Sequence, residues 1–123
     1  MKGSGRIWTG QRGEDIAVAY LKSKGYRILQ RNYKCLFGEV DIVAKDGNTI
    51  VFVEVKSRKS EDFGDPQTAI GWEKKKKISR VSLKYLDEKH LYSCDARFDV
   101  VAIKMLPAGN EVELIQNAFE LAP

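Results

Sequence analysis

Three side chains able to do chemistry, Asp41, Glu54 and Lys56, stand within the largely apolar stretch GEVDIVAKDGNTIVFVEVKSR, residues 38–58. Two carboxylates offer hard oxygen ligands to Mg²⁺ or Mn²⁺, ions that bind through one or two carboxylates and keep several waters. Such an ion would polarise a phosphate and lower the pKa of a bound water, and a lysine beside it would offset charge growing on the phosphate. The chemistry within reach is therefore phosphodiester hydrolysis. Acidic and basic residues also alternate along many solvated strands, which is the ordinary reading of Asp…Glu-x-Lys. Against it, Ile50–Val55 is a near-continuous apolar run, the pattern of a central strand buried on both faces. Glu and Lys are out of place there unless they sit at the strand's end, in a cleft.

Positioning them takes a β-hairpin. Its first arm is Val40–Lys45, its second Thr49–Lys56, and the Asp46-Gly47-Asn48 turn between them suits a hairpin loop. Strand side chains alternate with a period of two, so Glu39, Asp41 and Val43 share one face of the first arm. Ile50, Phe52, Glu54 and Lys56 share a face of the second, and pairing the arms lets Asp41, Glu54 and Lys56 converge.

Ahead of the hairpin the spacing predicts a helix from about Thr9 to Lys24, with Ile16, Tyr20 and Leu21 on its apolar side and Gly25 as its stop. Glu14 on that helix has two readings: it completes the carboxylate site, or it is an exposed acid favoured near a helix N-terminus. Tyr26–Tyr33 reads as the first strand, with Ile28 and Leu29 inward. After the hairpin a polar loop carries Arg58 and Lys59, which are either phosphate contacts or plain solvated residues. Pro66 opens a short helical segment with Gln67 in its first turn. A long helix from Trp72 to about Lys89 has Ile78, Val81, Tyr85 and Leu86 as its apolar stripe. Lys74–Lys77, Arg80 and Lys84 fall mostly off that stripe. They form either a solvated face or a surface that tracks phosphates, with Lys77, Arg80 and Lys84 as contacts in the second reading. Arg97–Met105 and Glu111–Gln116 read as two further strands, and Asp99 as a hydrogen-bonded structural acid. The order helix, three strands, helix, two strands gives an α/β fold: a central mixed sheet of about five strands flanked by helices.

The 123 residues suit one domain spanning 1–123, with residues 1–8 flexible. At 43% hydrophobic and 31% charged, the chain has apolar material for one core and too much for a disordered protein. No run reaches transmembrane length and the start lacks a signal-peptide core, so the expected location is cytoplasmic and away from membranes. Net charge of +4 is compatible with a nucleic-acid partner. Cys35 and Cys94 are far apart in sequence, form no C-x-x-C, and the sole histidine, His90, sits late in a predicted helix, which argues against structural zinc and for partly buried free thiols.

GEVDIVA followed by VFVEVKSR, behind a helix carrying G-x-x-G-E-D, resembles the PD-(D/E)xK nuclease superfamily with its restriction-endonuclease-like fold. From about Gly10 to Phe119 the chain closely resembles the bacterial YraN family of small proteins, and more distantly the archaeal Holliday junction resolvases. The resemblance implies a Mg²⁺- or Mn²⁺-dependent endonuclease acting on DNA, on branched or structured forms. Asp41, Glu54 and Lys56 match the superfamily's two acids and lysine, and Glu14 its helical acid. The backbone carbonyl of Val55 is an implied further metal ligand, and Ser57 and Gln67 match polar positions near the nucleic acid. Val40 stands where the superfamily's name has proline. The other class of function is a nucleic-acid-binding module on a nuclease scaffold without significant cleavage. A homodimer is expected by analogy if two strands of a junction are cut.

Overall fold

The structure, a computed structural model, describes residues 5–59, 71–91 and 93–119, with side chains from residue 12 onward and that of Lys59 excepted. The expectations for residues 1–4, for the loop and short helix at 60–70 that include Gln67, and for the last four residues lie outside the described residues. The elements are α1 (Gly5–Ser23), β1 (Arg27–Cys35), β2 (Gly38–Asp46), β3 (Thr49–Lys59), α2 (Trp72–Glu88), β4 (Asp95–Leu106) and β5 (Gly109–Phe119). The strands form one five-stranded sheet in the order β1-β2-β3-β4-β5. All neighbours are antiparallel except β3 and β4, which run parallel because α2 lies between them in the chain. β3 is thus the middle strand, and Ile50–Glu54 are buried without a break.

Each sheet face has its own core. On one, α1 lays Ala17 and Leu21 against Ile42, Ala44, Val51, Val53, Val101 and Ile103. On the other, α2 packs Ile78, Val81 and Tyr85 against Val43, Ile50, Phe52, Phe98 and Val100. Phe52 is the hub of the second core, with ring centroids 5.9 Å from Tyr85 and 5.8 Å from Phe98. Ser79 and Ser82 are buried on α2 at no hydrogen-bonding cost, because their hydroxyls donate to the Lys75 and Ile78 carbonyls one turn back.

Several boundaries and faces differ from the sequence expectation. The long strands extend further: β5 runs on to Phe119, whose ring stacks on Phe98 at 4.8 Å. α1 begins at Gly5 instead of Thr9; its fully buried stripe is Gly13, Ala17 and the expected Leu21, Ile16 packs at the edge of that core, and Tyr20 lies outside it. The reason is closeness of approach. A Cβ placed on Gly13 would stand 2.0 Å from the Ser57 hydroxyl, so only a residue without one lets α1 settle onto β3. Leu29 is not inward, because the β1–β2 register slips between Ile28 and Gln30 and leaves it at the irregularity.

β1 and β2 also change faces partway along. Arg31 reaches toward α1, whereas Tyr33 packs in the α2-side core. Between them Asn32 has φ 54°, in the left-handed region that Asn tolerates better than most side chains. On β2, Ile42 belongs to the α1-side core and Val40 to the α2-side core, with Asp41 at the switch.

Candidate active site

The hairpin turn is tight. Asp46 pairs with Thr49, leaving Gly47 (φ 61°) and Asn48 as the two-residue loop. From there the β2–β3 ladder runs through Ile42 opposite Val53 and stops. Regular pairing would next set Asp41 opposite Glu54. Instead the arms part, and Oδ2 of Asp41 accepts the Val55 N–H at 2.8 Å. A side-chain carboxylate replaces a backbone carbonyl as the acceptor, so the amide stays satisfied while the strands open.

Glu54 lies beside Asp41 with 4% of its surface exposed. Burial, the hydrogen bond shared with Glu54 and the charge of Glu54 push the Asp41 carboxyl up to about 7, against the opposing pull of the Val55 N–H and of Lys74. Lys74, in the first turn of α2, forms an ion pair with Oε2 of Glu54. Among the described residues the Lys74 ammonium is the group that stands against this buried oxygen. Half-buried Lys56 follows on the same face. Its pKa is drawn down by burial first and by the Lys74 charge second, with Glu54 opposing.

The fold therefore brings Asp41, Glu54 and Lys56 together and adds Lys74. It gives Glu14 other partners: its Oε1 accepts from Nε of Arg31 at 2.9 Å and from Nδ2 of Asn32 at 3.0 Å. Among the described residues no three acids, histidines or cysteines gather as a metal-holding group. The carboxylates available together are Asp41 and Glu54, a pair that still meets what Mg²⁺ or Mn²⁺ needs when waters complete the shell. Crowded negative charge at a buried oxygen is what a hard cation would relieve. The Val55 side chain packs on the α1-side core, and its N–H is engaged by Asp41.

Ser57 lies under Gly13 of α1, on the sheet face away from Lys56. Arg58 is half-buried and engaged in an interaction of its own. The Lys59 side chain lies outside the described residues. On α2, Lys77 and Arg80 are exposed and Lys84 is half-buried, and their spacing sets them along one stripe of the helix. Lys77 and Lys74 line a cleft of about 580 Å³ between the start of β2 and the start of α2, together with Gly38, Glu39 and Trp72. Lys74 was hidden in the lysine run. Its signal is its place one turn before buried Ile78, which turns it toward the sheet.

On the α1-side face of the sheet, around Asp99 opposite Val53, lies a second polar group with all its needs met. Fully buried Asp99 accepts from the Tyr26 hydroxyl, the Arg97 guanidinium and the Asn117 N–H, and Arg97 also pairs with Asp46. This is the structural role expected of Asp99. Cys35 and Cys94 are free and half-buried. Among the described residues no helix is long and apolar enough to cross a membrane.

A five-stranded mixed sheet with a helix on each face, its central parallel pair joined through α2, is a restriction-endonuclease-like α/β fold. Within that class the chain belongs to the Uncharacterised protein family UPF0102, the YraN family, which it matches over residues 13–103. It is 59% identical over 114 residues to a UPF0102 protein of Syntrophus aciditrophicus, covering 93% of this chain and 90% of that one. A UPF0102 protein of Geobacter sulfurreducens is 52% identical over 92% of this chain and 89% of its own length. One of Caldicellulosiruptor saccharolyticus is 47% identical over 89% and 95% respectively.

Proposed function

We propose that the protein is a Mg²⁺- or Mn²⁺-dependent endonuclease that hydrolyses phosphodiester bonds of DNA, with branched or structured DNA as its substrate and a homodimer as its working form. The observation that carries the reading is the Asp41–Glu54 carboxylate pair, half-buried Asp41 and buried Glu54, where the central hairpin opens, with Lys56 beside it. Acids held this close to one another repel a phosphate unless a cation stands between, so the arrangement favours hydrolysis over a plain binding module.

When bound, the metal would supply Lewis-acid polarisation of the phosphate and a more acidic water. Asp41 and Glu54 would hold it, Asp41 through the oxygen not committed to Val55. Lys56 would orient the attacking water and offset charge growing on the phosphate. The water oxygen bonds to phosphorus as the bond to the 3′ oxygen breaks; the water gives up a proton to solvent and the leaving oxygen takes one from solvent, giving a 3′-hydroxyl opposite a 5′-phosphate. The Lys77, Arg80 and Lys84 stripe would carry the flanking phosphates.

The test is cleavage by the wild type and by Lys56→Ala, with Mn²⁺ and with Mg²⁺. Substrates are a four-way junction, a flap, single strands, plain duplex and structured RNA. Cutting that requires both metal and Lys56 is the expected result. DNA binding without cutting of any substrate by the wild type would overturn the enzyme reading in favour of a binding module.

A further inference from the structure

The carboxylate pair already has a cation. Lys74 comes from α2, not from the hairpin, and places its ammonium on Oε2 of Glu54. Two properties set this pair apart from an ordinary salt bridge. The glutamate is almost wholly buried while the lysine side chain is 48% exposed, so one partner is fixed and the other has room to leave. The lysine also comes from another element than the carboxylates, so its departure leaves the hairpin undisturbed. A lysine ammonium is a compact point charge on a flexible stem, able to stand where another cation would.

We propose that Lys74 is the internal counter-ion of this site: its ammonium holds the place beside Glu54 that a divalent cation takes, and metal enters by exchange, releasing Lys74 into the adjoining cleft. The inference rests on the metal-dependent reading of Asp41 and Glu54. Charge balance supports it. Two ammoniums, those of Lys56 and Lys74, already serve two carboxylates. A dication added to all four groups would leave a crowded excess of positive charge, and departure of Lys74 removes that conflict. The cleft that Lys74 lines gives it a destination, beside Lys77 and Trp72. There its charge would meet a substrate phosphate, so that metal loading and substrate capture draw on the same side chain. Without metal the latch keeps Glu54 from standing as a bare buried charge, which is costly.

Lys74 is half-exposed in the first turn of a helix, so Lys74→Met and Lys74→Gln should fold, as circular dichroism will verify. Mn²⁺ binding to the full chain is then measured by calorimetry and by electron paramagnetic resonance at pH 8, without DNA. Removing a positive charge adjacent to the ion is expected to tighten Mn²⁺ binding by about tenfold or more in both variants, and to enlarge the rise in Tm that Mn²⁺ produces. Lys74→Arg, which keeps the charge, should bind as the wild type does. Equal or weaker binding by Lys74→Met and Lys74→Gln overturns the exchange while leaving Asp41 and Glu54 as metal ligands. Absence of Mn²⁺ binding in the wild type and in every variant overturns both readings.

Discussion

Asp41→Asn should make the protein more stable at pH 8 in metal-free buffer. The carboxyl of Asp41 is raised from 3.8 to about 7 in the folded chain. The folded state therefore keeps this proton at pH values where the unfolded state has lost it. Between about pH 4 and pH 7 the folded state binds more protons, so the contribution of this group falls as pH rises, and above about pH 7 the full penalty is in place. At about 1.36 kcal/mol per pH unit the ceiling is about 4 kcal/mol. Water at the half-buried carboxyl and the nearby Lys74 ammonium reduce this to about 1–3 kcal/mol. Asn retains what the structure needs: its amide oxygen accepts the Val55 N–H, and its NH₂ donates to Glu54 where a second carboxylate stood. The variant should then melt several degrees above the wild type at pH 8, and the two should converge near pH 5, where Asp41 itself carries the proton. Thermal and urea unfolding in EDTA at both pH values measures this. A variant less stable at pH 8, or a gap that is the same at pH 5 and pH 8, refutes the reasoning.

Gly13→Ala should destabilise by about 1–3 kcal/mol through overpacking against Ser57. Adding Ser57→Ala should recover only part of that in a double-mutant cycle, because the Ser57 Cβ itself lies 3.2 Å from the new methyl. Asp99→Asn weakens a buried acid's bonds to Arg97 and the Asn117 N–H, so urea unfolding should show a loss of about 2–4 kcal/mol without a change in metal binding. Replacing Lys77, Arg80 and Lys84 together by Ala should lower the slope of log K for DNA against log salt by about 2–3, read from binding titrations at several salt concentrations. An unchanged slope removes that stripe from the interface.

The hairpin and its polar residues were legible because they obey a simple rule. Period-two alternation, a Gly-containing turn and an unbroken apolar run fix which residues share a face, and β3 is indeed the central strand. That rule assumes a regular strand, and it fails where the strand is not regular. Nothing in the alternation of YRILQRNY announces that Asn32 will turn the chain over, or that the ladder will open at Asp41. Glu14 kept two readings because helix position alone does not say which strand residue it meets; in the fold Arg31 and Asn32 reach it. Of the α1 stripe, Leu21 was legible and Gly13 was not. Gly13 contributes no apolar side chain, so a reading based on hydrophobicity passes over it, although small size is what the packing demands. Lys74 required knowledge of which strand faces the first turn of α2, which only the assembled fold supplies.

The bond from the Val55 amide to Asp41 has a use beyond holding the hairpin open. An amide in a strand ladder senses only its neighbouring backbone and is nearly blind to solution conditions. This one is attached to the group that gains and loses a proton and that would grip a metal. Its nitrogen resonance should follow the ionisation of Asp41 from within the centre of the sheet, and should move again when an ion arrives. The opened hairpin thus carries its own spectroscopic gauge, one backbone position at which the state of the site can be followed with no substrate and no turnover.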